Sequence, residues 1–151
     1  MRLGGATAKL VARALREALT PWVGPGLVGV TCLAAGSDQI FARIVLELGG
    51  RLEVVLPAPD YRETKVGPAE RTEFDRLLRS ASTTRYTELS SSGPEAFLAA
   101  SKAVIARSAR LLAVWDGTAD RHPGGTGDAV AHARSVGVPV EVIWPAGAVR
   151  G

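Results

Sequence analysis

Two short stretches of this sequence carry residue types suited to holding an anion. The first is Leu33-Ala34-Ala35-Gly36-Ser37-Asp38, where an apolar run passes through small residues straight into a helical pattern. Small residues let a ligand approach the backbone, and the free N–H groups and dipole of a helix start attract negative charge. Ser37 and Asp38 are also ordinary N-cap residues, so this stretch alone admits both readings. The second is Trp115-Asp116-Gly117, followed by His122-Pro123-Gly124-Gly125-Thr126-Gly127-Asp128. Gly124, Gly125 and Gly127, with Thr126 among them, form a turn whose amides can wrap a phosphate ahead of a helix. Their spacing is not that of the dinucleotide fingerprint, and no Lys follows as in a P-loop. A flexible connector is the competing reading.

The elements that must position these turns follow from periodicity. Leu10, Val11, Ala14, Leu15 and Leu19 recur at helical spacing between Ala6 and Leu19, and Pro21 stops that helix. Leu27 to Leu33 reads as a strand buried on both faces. A helix follows with Ile40, Phe41, Ile44, Val45 and Leu48 on its apolar side, ended by Gly49-Gly50. Arg51 to Leu56 is a second strand, residues 58–68 a loop over the strand ends, and residues 68–78 a helix with Pro at its first turn. Arg85 to Leu89 is a short strand. A helix from Pro94 presents Phe97, Leu98, Ser101, Val104 and Ile105 on one side. Residues 110–115 form a strand, 116–127 a loop, 128–136 a helix and 138–144 a last strand. Strands alternating with helices predict an α/β fold with a parallel sheet covered on both faces.

In such a sheet the strand C-termini share one edge, and ligands bind there. That geometry is expected to gather Gly36, Ser37, Asp38, Asp60, Tyr61, Asp116, Gly117, Gly124, Gly125, Thr126 and Gly127 around one nucleotide or other phosphorylated ligand. Tyr61 would stack on a base or cover the loop. If the ligand is turned over, cleavage or transfer at an N-glycosidic bond needs a carboxylate near the anomeric carbon, to support oxocarbenium-like charge. Asp38, Asp116 and Asp128 are the candidate catalytic groups. Each also has a plain role, Asp38 and Asp128 as helix caps and Asp116 as a turn residue.

Composition narrows the rest. A chain of 151 residues with 46% hydrophobic content fits one domain with a real core. The net charge of +3 comes from Lys and Arg scattered along the chain, and aromatics are only 5%, which argues against a nucleic-acid partner. Cys32 is the only cysteine, so no internal disulfide forms; it reads as a small buried hydrophobe in a cytoplasmic protein. No apolar stretch approaches the ~20 residues that span a bilayer, and no signal peptide core is present. His122 and His132 lie apart with no ligand set around them, so no metal is expected, nor any cofactor.

The stretches LAAGSDQIFARIVLELGGRLEVVLPAPDYRE and LLAVWDGTADRHPGGTGDAVAHARSVGVPVEVIWP resemble the SLOG superfamily. This Rossmann-like group includes LOG-type phosphoribohydrolases, molybdenum-cofactor carrier proteins and the DprA/Smf DNA-processing proteins. The similarity runs from Leu27 onward and is nearest to small bacterial nucleotide-binding members. It implies a three-layer α/β/α fold with a mainly parallel sheet of about five strands, residues 36–38 facing the ligand, residues 124–127 on its phosphate, and a homo-oligomer. The apolar helix faces at Ala6 and Pro94 could supply that interface. Two departures matter. LOG enzymes follow a Pro-Gly-Gly-x-Gly-Thr motif with a catalytic Glu, whereas here Gly127 precedes Asp128-Ala129-Val130-Ala131. Relatives also begin with a strand and a Gly-His-like turn, whereas only Met1 to Gly5 precede the first helix. The expectation is an upstream start or a sheet that lacks one strand.

Overall fold

The computed structural model describes residues 3–119 and 124–151. Its helices are α1 Gly5–Leu19, α2 Ser37–Glu47, α3 Tyr61–Lys65, α4 Arg71–Ser80, α5 Pro94–Ala106 and α6 Thr126–Ser135. Its strands are β1 Val28–Thr31, β2 Arg51–Leu56, β3 Thr83–Tyr86, β4 Leu111–Val114 and β5 Val140–Ile143. Every strand pairing among the described residues is parallel, and strands alternate with helices, so the chain is an α/β protein of Rossmann-like type. None of its described helices is long and apolar enough to cross a membrane.

The helix stops are encoded locally. At the end of α2, Gly49 takes φ +80°, Gly49 N–H donates to the Leu46 carbonyl, and Gly50 N–H donates to that of Val45. This is a Schellman closure, which needs a residue free to adopt the left-handed region. The end of α6 repeats it with Gly137 at φ +78° and Val138 N–H donating to Ala133. On α1 the buried residues are Thr7, Val11, Leu15 and Leu19, one per turn, which fixes a single inward stripe.

The main core lies under α1, α2 and α4, where Val11, Leu15, Val45, Leu52, Val54, Phe74 and Leu77 are fully covered. On the other side α5 and α6 pack together through small residues, Ala96, Ala100 and Ala133, with Val130 and Ile105. Close approach is also built in at Gly50. A Cβ there would sit 2.8 Å from the Leu27 carbonyl oxygen and 3.0 Å from Val45 Cγ1. Gly50→Ala is therefore expected to cost about 1–3 kcal/mol in urea denaturation. Gly26→Ala, with nothing within 4 Å of the added carbon, should stay within about 0.5 kcal/mol of the parent.

Four features differ from the sequence reading. Residues 58–68 are not all loop: α3 forms there because Tyr61 finds a buried seat, and Thr64 N–H and hydroxyl both bond the Asp60 carbonyl. The N-caps of α2 and α6 are Gly36 and Gly125, so Asp38 and Asp128 lie inside the first helical turn instead of capping it. On α5 the buried residues are Ala96, Ala100 and Ile105, while Phe97 and Val104 are half-buried toward a cavity. Most consequential, the five strands form two sheets, β1-β2-β3 and β4-β5. Among the described residues neither β1 nor β4 has a second ladder partner.

Candidate functional site

A cavity of about 870 Å³ lies between β1 and β4 and extends to residues just past their C-terminal ends. Ala34, Ser37 and Asp38 line it from the β1–α2 side, Gly124, Gly125 and Thr126 from the start of α6, and Tyr61 and Phe97 from above. The two glycine-bearing turns thus share one mouth, although α2 and α6 start on opposite faces. Their faces follow from topology: the β1→β2 and β4→β5 crossovers move apart from the cavity, and right-handed crossovers then place α2 and α6 on opposite sides. The mouth is the point where strand order reverses, the place where open α/β sheets hold ligands.

The turn after β1 is held rigidly. Leu33, fully buried, adopts φ +55°, a conformation that costs a non-glycine residue on the order of 1–2 kcal/mol. Hydrogen bonds over-determine it: Leu33 N–H donates to Thr31 Oγ1 at 3.1 Å, the Leu33 carbonyl accepts from Gln39 Nε2 at 3.4 Å, and Ala34 N–H donates to Asp38 Oδ2 at 3.2 Å. Gly36 follows at φ +95°, ψ −123°, a region that only glycine enters readily. Ahead of α6 the pattern repeats. Gly124 N–H donates to Asp128 Oδ2 at 2.8 Å, with Gly124 at φ +87° and pressed against Phe97 and the Pro94 carbonyl. In both turns a helical aspartate clamps an amide four residues back, so the loop backbone is set before any ligand arrives.

Gln39 is buried and its amide is a partner for the strained Leu33 carbonyl. Gln39→Ala is expected to cost about 1–3 kcal/mol by leaving that acceptor unpaired. Chemical denaturation of the two proteins measures it directly, and a loss below a few tenths would show that the turn holds itself.

Charge in the mouth is set by burial. Desolvation pushes the Asp38 carboxyl above its ordinary pKa, against the Ala34 N–H and the Thr31 hydroxyl, which pull it down. Burial likewise raises the Cys32 thiol, which lies just past β1 on the cavity wall, and the Tyr61 phenol. Tyr61 is packed edge-on to Phe97, with centroids 6.2 Å apart, and tilted against Phe74 at 6.1 Å. Its ring is a wall of the cavity.

The other expected site residues stand elsewhere. The Asp60 carboxylate accepts the Ser92 N–H at 2.8 Å and so ties the loop before α5 to α3. Asp116 accepts the Thr118 hydroxyl at 2.7 Å and its N–H at 3.0 Å and faces Arg150 at 3.2 Å; these partners hold its pKa below the ordinary value. Gly117 turns the chain at φ +84°. None of these three lines the cavity, nor do Gly36, Gly127 and Asp128. His122 and Pro123 fall outside the described residues. Sequence reasoning missed Thr31 and Gln39, whose roles depend on bonds to loop backbone that no spacing rule announces.

The fold and this mouth define a Rossmann-like α/β protein with two preformed, amide-bearing turns at one sheet edge. No family model and no curated protein matches the sequence. Among solved structures it is similar to the X-ray structure of DNA processing protein A (DprA) from Streptococcus pneumoniae, with a TM-score of 0.66 and 17% identity. The match covers 95% of this chain and 47% of that one, so this chain spans about half of that protein's length. The likeness shows the fold.

Proposed function

We propose that the mouth between α2 and α6 binds a nucleotide or nucleotide-derived ligand through its phosphate, with Ser37, Gly125 and Thr126 presenting main-chain amides and Gly124 lining the turn beside them. The observation that carries this reading is that Ser37 and Thr126, from helices on opposite faces, line one cavity. Helix starts supply both N–H donors and a favourable dipole for an anion. A saturable rise in melting temperature with a nucleoside phosphate tests it, since a ligand at a hundred times its Kd stabilises by about 2.7 kcal/mol. Thr126→Glu is compatible with a helix start but sets a negative charge where the phosphate would sit, and should remove the shift. An unchanged shift in that variant would place the ligand elsewhere.

Of the three candidate carboxylates only Asp38 lines the cavity. Any N-glycoside hydrolysis or ribosyl transfer therefore falls to Asp38, with Asp116 and Asp128 holding loops. Release of free base from a nucleotide panel tests turnover; a thermal shift without release describes a nucleotide sensor. A second reading, oligonucleotide binding, is favoured by the fold likeness to a DNA-processing protein. It predicts binding of a labelled oligonucleotide that weakens steeply with salt, and absence of such binding removes it.

A further inference from the structure

Tyr61 opens α3 and is only 6% exposed, yet it forms part of the cavity wall. Its ring is held by two others, Phe74 from α4 and Phe97 from α5. A ring so enclosed has no open face on which a base could stack. The hydroxyl is the part left to contact a ligand. Among the described residues it makes no hydrogen bond, whereas a buried phenol ordinarily finds a partner. Nor is this oxygen sealed in the core, since among the described residues only Ser92 Oγ is both sealed and unpaired. Its open side is therefore the cavity that the residue lines. The Asp38 carboxyl and the Cys32 thiol, both on that wall, act on the phenol electrostatically and add to the rise that burial gives its pKa. The hydroxyl thus stays protonated and stands as a donor on the side where Asp38 lies.

We propose that the Tyr61 hydroxyl is a ligand-binding donor, and that together with the Asp38 carboxyl it takes a hydroxyl of the sugar joined to the phosphate, so that the site holds a sugar phosphate in preference to phosphate alone. The inference rests on the reading of the mouth as a phosphate site and assigns the next part of the ligand. A sugar hydroxyl accepts one hydrogen bond and donates another, which matches a phenol donor beside a carboxyl acceptor. An apolar group there would leave the phenol unpaired. A second anionic group is disfavoured by the same burial that raises both the phenol and the Asp38 carboxyl. Position agrees with chemistry. Asp38 follows Ser37 in the first turn of α2, so its carboxyl stands beside the phosphate position, where the atoms attached to that phosphate must lie.

Tyr61→Phe removes this one oxygen and keeps the ring between Phe74 and Phe97. Because the hydroxyl bonds nothing in the described chain, the variant should melt no lower than the parent, which separates a ligand contact from a structural one. Calorimetric titration with inorganic phosphate, a pentose phosphate and a nucleoside monophosphate reads the rest. The parent should hold both sugar-bearing ligands more tightly than inorganic phosphate. Tyr61→Phe should weaken those two by roughly tenfold, the loss of one neutral hydrogen bond together with the acceptor it leaves unpaired, and should keep the parent's Kd for inorganic phosphate. Thr126→Glu should weaken all three. Parent affinities for the sugar-bearing ligands in Tyr61→Phe overturn the proposal. So does an equal loss for inorganic phosphate, which would put the phenol on the phosphate itself, and so does a drop of more than a few degrees in melting temperature, which would make the hydroxyl part of the fold. A parent that binds none of the three overturns the nucleotide reading and this inference with it, whereas a parent that binds all three while Tyr61→Phe is indistinguishable from it overturns this inference alone.

Discussion

Replacing Phe74 by Ala is expected to lower the free energy of unfolding by about 3–5 kcal/mol, the largest stability loss of any single truncation in this chain. Phe74 is fully buried on α4, at the middle of the larger core. It also carries Tyr61, which in turn meets Phe97 edge-on, so three rings link α4, α3 and α5 in series. Removing the lowest ring leaves a hole and lets Tyr61 sink from the cavity wall. Phe74→Leu, which keeps most of the volume, should lose less than about 1.5 kcal/mol. Urea denaturation with an unchanged m-value measures both, and an alanine variant within about 1 kcal/mol of the parent would mean that the ring series bears no weight.

The second large effect is expected at Asp38. Its pKa in the folded chain stands above the ordinary 3.8, because burial outweighs the hydrogen bonds from Ala34 and Thr31. The folded protein therefore holds this proton more tightly than the unfolded chain does. The stability that follows is fully present below the unfolded pKa and is lost as pH rises through the folded one, above which the ionised carboxylate is a net cost. Asp38→Asn keeps an oxygen for the Ala34 N–H and does not titrate. The variant should be the more stable protein at neutral pH, and its advantage should shrink as pH falls. Melting temperatures of the two proteins across pH decide it: a gap that does not change with pH refutes the raised pKa. Any nucleotide turnover should fall by on the order of 100-fold or more in the same variant, with substrate binding retained. Stabilisation together with lost turnover is the pattern of a residue kept for chemistry; stabilisation with unchanged turnover assigns Asp38 to the turn alone.

Much of this was legible in the residues. The one-per-turn stripe of α1 and the run Arg51–Leu56 are local patterns, and the structure forms both nearly as read. Small residues followed by a helix were enough to locate both turns, since glycine freedom and helix polarity are properties of short segments. Helix α3 was not legible, because five residues carry no period and its cause is the seat that Phe74 and Phe97 make for Tyr61. Asp60 and Asp116 looked like site residues by position at strand ends, yet each is taken up by loop hydrogen bonds to Ser92 and to Thr118, contacts that only three-dimensional placement decides. The division of the strands into two sheets was not legible in local patterns, because which edges pair depends on long-range contacts.

The paired bonds between Thr7 and Val149 bring the two ends of the described chain together on the edge where the cavity opens. A purification tag or fluorescent fusion at either end therefore emerges near that opening and can shadow it. Affinities measured on fused protein would then report crowding by the tag as much as recognition, and cleaved protein is the proper reference.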